Sequence, residues 1–219
     1  MKLFNLDSPF MTFMNKFADL MILNALWLVC SLPIITIGAS STALYYCLLN
    51  QNKDGVSSVT RMFFSAFKSN FKKATLLWLI QVVMLAVAAC DFLFFLELWA
   101  NAALAIRIIC LIPAVWLLMG AGFLFPLQAQ FENTVGHTVK NAMIISIANL
   151  TVSVPVTVLN LVPLLICFID VALFLKTAII WLLVGVAAVA YLNTALIKKV
   201  FRQFMPGQEQ DDVAAQSAE

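Results

Sequence analysis

Few residues in this chain have side chains that do chemistry, and their spacing limits what that chemistry can be. The single histidine, His137, stands five residues after Glu132 in FENTVGHTVKNA. That is not the HExxH interval that sets two metal ligands on one helix face, and no second histidine exists to complete a familiar zinc set. The five cysteines, Cys30, Cys47, Cys90, Cys110 and Cys167, lie inside apolar runs without CxxC spacing. They read as small buried side chains rather than disulfides or ligands. Gly38 and Gly136 belong to no phosphate-cradling loop, and neither a GxSxG elbow nor a paired-acid pattern occurs. The expectation is a chain that is not an enzyme, with no catalytic residues, no metal and no cofactor.

Ionisable and amide groups inside apolar runs say more, because each is costly in hydrocarbon unless paired or hydrated. Asp91 and Arg107 fall at similar depth on two adjacent runs, which predicts an ion pair. That pair would act as a clasp for a helical hairpin or as a charged site facing an external cavity. Gln81, Asn149 and Asn193 each fall a few residues from the end of a run that carries basic residues. They are expected to form a second polar layer, either packing helices together or facing a cavity suited to an uncharged polyhydroxylated solute.

The elements that must carry these residues are membrane segments. Of the 219 residues, 63% are hydrophobic and 11% charged, with a mean hydropathy of +0.98. Soluble domains are about half apolar and a quarter charged. A net charge of +2 makes nucleic acid an unsuitable partner and leaves the lipid bilayer as the surroundings. Residues 74–96, 103–127, 141–169 and 177–197 are each long enough to span about 30 Å of hydrocarbon. Lys53, Arg61, Lys68, Lys72 and Lys73 precede the first of these runs, and Lys198, Lys199 and Arg202 follow the last. The positive-inside rule places both groups, and the C-terminus, in the cytoplasm.

Residues 17–50 form either one tilted crossing or two helices that reverse near Pro33 and Gly38. Proline removes a backbone donor and glycine accepts turn conformations, so the reversal is favoured, and it puts the N-terminus in the cytoplasm. The returning arm is short for a full crossing. Signal-peptide cleavage is not expected, since Asp7 and Asp19 precede the apolar stretch and apolar character continues past it. The run 141–169 would be about 43 Å long as one straight helix, so tilting, kinking or a break is expected, with Pro155 and Pro163 as interruptions. Between Val59 and Lys73 apolar residues recur on one helical face, with Arg61, Lys68, Lys72 and neighbouring serines on the other. This predicts an amphipathic helix lying on the cytoplasmic membrane surface, able to bind lipid or to dock a partner. The resulting architecture is all-α: a polytopic transmembrane helix bundle of five to six segments plus that interfacial helix. Residues 1–204 form one helical membrane domain, and 205–219 a disordered, acidic cytoplasmic tail.

Sliding the sequence by 68 positions aligns FKKATLLWLIQ (71–81) with VKNAMIISIAN (139–149), which suggests a duplicated unit. Three passages, NALWLVCSLPIITIGASSTALYY, FKSNFKKATLLWLIQ and FPLQAQFENTVGHTVKNAMIISIANL, carry a resemblance to the YesL family of bacterial integral membrane proteins, a domain of unknown function (624). The likeness extends over roughly Phe4 to Phe204. It implies a multi-pass protein of the bacterial cytoplasmic membrane, often encoded beside carbohydrate ABC-transporter components, and no established activity. Two functional expectations follow. The first is a non-enzymatic accessory or regulatory partner of carbohydrate ABC transporter subunits. The second is a small-solute, sugar-like transporter or channel that uses proline-broken helices.

Overall fold

The computed structural model describes residues 9–50, 59–98, 104–169 and 171–203, and all of its regular elements are helical. Nine α-helices follow in order among the described residues: α1 (Pro9–Cys30), α2 (Ile37–Asn50), α3 (Val59–Leu98), α4 (Leu104–Ala121), α5 (Leu124–Gln130), α6 (Val135–Ala148), α7 (Leu150–Ile169), α8 (Val171–Ile180) and α9 (Val186–Arg202). A 3₁₀ turn (Ile34–Thr36) precedes α2, and a π-turn (Trp181–Gly185) joins α8 to α9. The expected tail, 205–219, lies outside the described residues.

Among the described residues, four segments are long and apolar enough to cross a membrane: Phe13–Cys30, Val59–Asp91, Leu111–Gln130 and Leu175–Arg202. The bent pair α6 and α7 makes a fifth if counted as one span. Their outward faces are apolar, with Val83 63%, Leu175 65% and Ile179 69% exposed. Such continuous apolar surface is incompatible with water and fits lipid contact. The chain is an all-α polytopic membrane bundle.

Two short helices are buried among the longer segments. Ten residues of α2, from Gly38 to Leu49, are buried, and so are Leu124 to Ala129 of α5. The two helices pack against each other, and α2 also packs on α3 and α9. The core between them is dense and largely aliphatic and aromatic, with Leu44, Phe63, Leu77, Phe123 and Phe201 fully or almost fully enclosed.

The chain breaks after α1 where Pro33 lies. The Thr36 hydroxyl sits 2.6 Å from both the Cys30 and Pro33 carbonyl oxygens, supplying the donor that the break removes. Gly38, however, is no turn residue: no described glycine has positive φ, and Gly38 lies within α2. Its role is close approach, since a Cβ there would strike the Ala74 carbonyl and the Trp78 side chain. This contact also places the break beside the middle of α3. About 30 Å of α3, residues 79–98, continues past it. The α2 arm is therefore a buried half-length helix and not a second full crossing.

Three further expectations are corrected. The amphipathic stretch 59–73 is not a separate interfacial helix but the first part of the 40-residue α3. Its apolar face, with Phe63 and Ala66, packs into the protein core instead of lipid, because α2 covers it. The long run 141–169 breaks at Asn149, where α6 and α7 meet at a 110° bend, and not at Pro155 or Pro163, both of which lie within continuous α7. Beside Pro155, Ser153 Oγ donates to the Asn149 carbonyl (2.9 Å) and Thr157 Oγ1 to the Ser153 carbonyl (2.8 Å), so both hydroxyls are satisfied by local backbone. The two arms of the suggested repeat differ, since α3 runs straight through Gln81 whereas α6 ends at Ala148.

Candidate solute-binding site

A side-chain amide within an apolar helix must find a partner on another helix or in a ligand. Asn193, wholly buried on α9, donates through Nδ2 to Asn160 Oδ1 on α7 (2.8 Å) and to the Tyr45 hydroxyl oxygen on α2 (3.2 Å). Three helices far apart in sequence thus meet on one side chain. Both bonds use the nitrogen, and Asn193 Oδ1 is left buried without a protein partner. Gln81 Oε1, on α3, is buried and unpartnered as well.

A cavity of about 330 Å³ opens beside this group. Its polar wall comprises Ser41, Tyr45, Gln81, Thr157 and Asn160; Trp27, Phe125 and Trp181 supply aromatic surface. Among the described residues, no Asp, Glu, Lys, Arg or His lines it. Gly122, just past the end of α4 at Ala121, borders the cavity and lets the chain pack so closely on Val156 and the Asn160 amide that a Cβ would crowd both. Trp27 Nε1 is itself held by Ser41 Oγ (3.1 Å), which fixes one indole at the edge. Because Tyr45 accepts from Asn193, its own O–H is free to donate. Asn160 accepts through Oδ1, which leaves its Nδ2 as a second donor, while Gln81 Oε1 is an acceptor.

Of the layer expected from sequence, Gln81 lines the cavity and Asn193 stands behind it. Asn149 does not join them: it terminates α6 and its Nδ2 reaches only the Ile145 carbonyl of its own helix (3.4 Å). Depth counted along a straight helix ends at the 110° bend, and Asn160, one helix later, takes the place instead. Tyr45 was missed because nothing local marks which face of α2 meets α9. Asn24 was missed too, although a lone amide in LMILNALWLV is the signal that could have found it. It is fully buried and bonds to the backbone of the π-turn.

Asp91 is half-buried near the end of α3, which packs against α4, and the side chain of Arg107 lies outside those described. Arg61, Lys68, Lys72 and Lys73 are exposed along the first half of α3, and Lys73 Nζ donates to the Asn133 carbonyl (3.3 Å). Glu132 and His137 are both exposed. The stretch that holds them starts α6, where the Thr134 hydroxyl caps the His137 N–H (3.5 Å). No group of three metal-ligating side chains forms among the described residues.

A second amide cluster lies below the cavity. Gln128 Nε2 on α5 donates to Asn70 Oδ1 on α3 (3.1 Å), and Thr138 Oγ1 on α6 donates to Gln128 Oε1 (3.3 Å). Asn70 Nδ2 in turn donates to the Ala66 carbonyl (3.2 Å).

Residues 20–92 match the family described as protein of unknown function, DUF624, which bears out the YesL resemblance over that segment. The matched stretch carries Trp27, Ser41, Tyr45 and Gln81 of the cavity lining, and Asn24 as well. Neither a curated protein nor a solved structure matches the chain.

Proposed function

For a chain that carries a DUF624 domain, we propose a non-enzymatic, multi-pass membrane protein that binds a small neutral solute at the centre of its bundle and moves it across the bilayer. The observation that supports this reading is the pair of buried amide oxygens left without donors, Gln81 Oε1 on the wall of a cavity that no described charged residue lines and Asn193 Oδ1 behind it. A bare buried acceptor costs about 1–3 kcal/mol, a cost that a donor-bearing ligand removes. Donors from Tyr45 and Asn160, an acceptor on Gln81 and aromatic walls complement a hydroxylated, sugar-like solute whose hydroxyls bond and whose C–H faces stack. The volume lies at the small end of ligand sites, which run from about 300 Å³.

The test is flux into liposomes that contain only this protein, with glycerol and a hexose as probes. Flux abolished by Gln81→Leu with Asn160→Leu supports the reading; no flux of either probe by the unaltered protein overturns it. In this reading the basic ends of α3 and α9 face the cytoplasm of a bacterial cell, as does the C-terminus. Thiol labelling of a cysteine placed after Arg202 checks that orientation.

The accessory role beside carbohydrate ABC transporter subunits is a second reading, favoured by the exposed Lys68 and Lys72 on the part of α3 nearest the basic end. It predicts co-purification of transporter subunits from mild detergent and their loss on Lys68→Glu with Lys72→Glu. Lys73 is a poorer probe, since it also holds the Asn133 carbonyl.

A further inference from the structure

We propose that Asn24 is a positioning residue for the cavity: by bonding to the π-turn between α8 and α9 it sets the direction in which Trp181 faces the cavity wall. The functional meaning of this rests on the solute reading above; the geometry does not.

A π-turn accommodates an extra residue within a helix and disturbs the i→i−4 ladder, so some backbone groups lose their ordinary partners. In hydrocarbon those groups have no water to turn to. Asn24 meets them from α1. Its Nδ2 lies 2.7 Å from the Leu182 carbonyl oxygen and 3.2 Å from that of Trp181, and its Oδ1 accepts the Ala187 N–H at 3.0 Å. One amide, with no exposed surface, therefore satisfies both edges of the turn. No aliphatic residue can do this, and a shorter hydroxyl side chain offers one donor where two carbonyls need one.

The turn is shaped for Trp181 as well. Gly185 is buried, and a Cβ there would meet the Trp181 ring, so the indole lies against bare backbone. Trp181 and Val186, at either end of the turn, line the cavity, and so does Trp27, one helical turn after Asn24 on α1. Without Asn24 the unpaired groups are relieved when the turn closes to α-helix, which rotates what precedes it by about 100° relative to α9. That rotation carries the Trp181 indole off the wall and toward lipid.

The test uses the full chain in lipid nanodiscs, in a background where Trp181 is the one tryptophan, with brominated lipid as quencher. Asn24→Ala is expected to raise bromolipid quenching of Trp181 about twofold, since a turn of roughly 100° moves the ring from cavity to lipid. Deletion of Leu183 removes the extra residue and lets α8 and α9 join as an α-helix with their faces unchanged. In that background quenching is expected to stay at the unaltered level and Asn24→Ala to have no effect. Unchanged quenching in Asn24→Ala overturns the proposal. So does an equal rise with and without Leu183, because Asn24 would then act elsewhere than on the turn. Should Asn24→Ala fail to fold, folding of Asn24→Ala rescued by the Leu183 deletion supports the proposal, and failure of that rescue overturns it. Absence of solute flux leaves every quenching result standing, so it strikes the solute reading alone.

Discussion

Two amide clusters lie in one bundle, and they are finished differently. In the lower one, Asn70, Gln128 and Thr138 link α3, α5 and α6, and both ends of the Gln128 amide are bonded. In the upper one, Asn193 ties Tyr45 to Asn160, yet its own oxygen and that of Gln81 have no partner. Gln128 is 4% exposed and, with Asn70, borders a separate polar cavity that Lys73 and Glu132 also line; Gln81 borders the cavity between α2, α3 and α7. A closed network fixes helices, because removing any member strands the others. An open one beside empty volume adds little to the fold and keeps its bonding capacity for something that enters.

The sharpest way to break this contrast is Gln128→Leu. It strands the Asn70 oxygen, while Thr138 keeps its bond to the Thr134 carbonyl (3.2 Å), and is expected to lower unfolding free energy in detergent by about 1–3 kcal/mol. Solute flux per folded molecule should be retained. Asn193→Leu should cost less, about 1–2 kcal/mol, because it removes two bonds but also one orphaned oxygen; the same denaturation measurement compares them, and flux should fall with it. Gln81→Leu separates the clusters most cleanly. It removes a buried group that has no partner, so stability is expected to stay within about 0.5 kcal/mol or to rise, while flux is lost. A loss of stability as large as that of Gln128→Leu would make the upper cluster structural. The smallest effect belongs to Lys68→Glu with Lys72→Glu. These exposed sites should leave both stability and flux unaltered, within about 0.5 kcal/mol, so a change in co-purifying proteins would isolate docking from transport.

Much of the bundle can be read from the residues. The apolar runs carry all the long helices, and Pro33 sits at the break after α1 because a missing N–H acts locally. Pro155 and Pro163 show the limit of the same rule: each removes one N–H, yet α7 continues through both. The candidate site was only half legible. Gln81 and Asn193 stand out as amides in apolar runs, but Asn149 stood in for Asn160, since a residue's depth depends on every bend before it. The apolar face of 59–73 was visible and its partner was not, because lipid and a buried helix select the same periodicity.

Composition and hydropathy alone determined that this protein is helical and lives in a bilayer, because the free energy of apolar side chains and unpaired backbone in lipid is set residue by residue. Tertiary structure decided that α2 and α5 lie buried, that Asn24 completes a distant π-turn and that two buried amide oxygens, one on a cavity wall and one behind it, are left without partners. Those outcomes depend on which helix faces meet and at what bend, and such pairings arise only when the whole bundle packs.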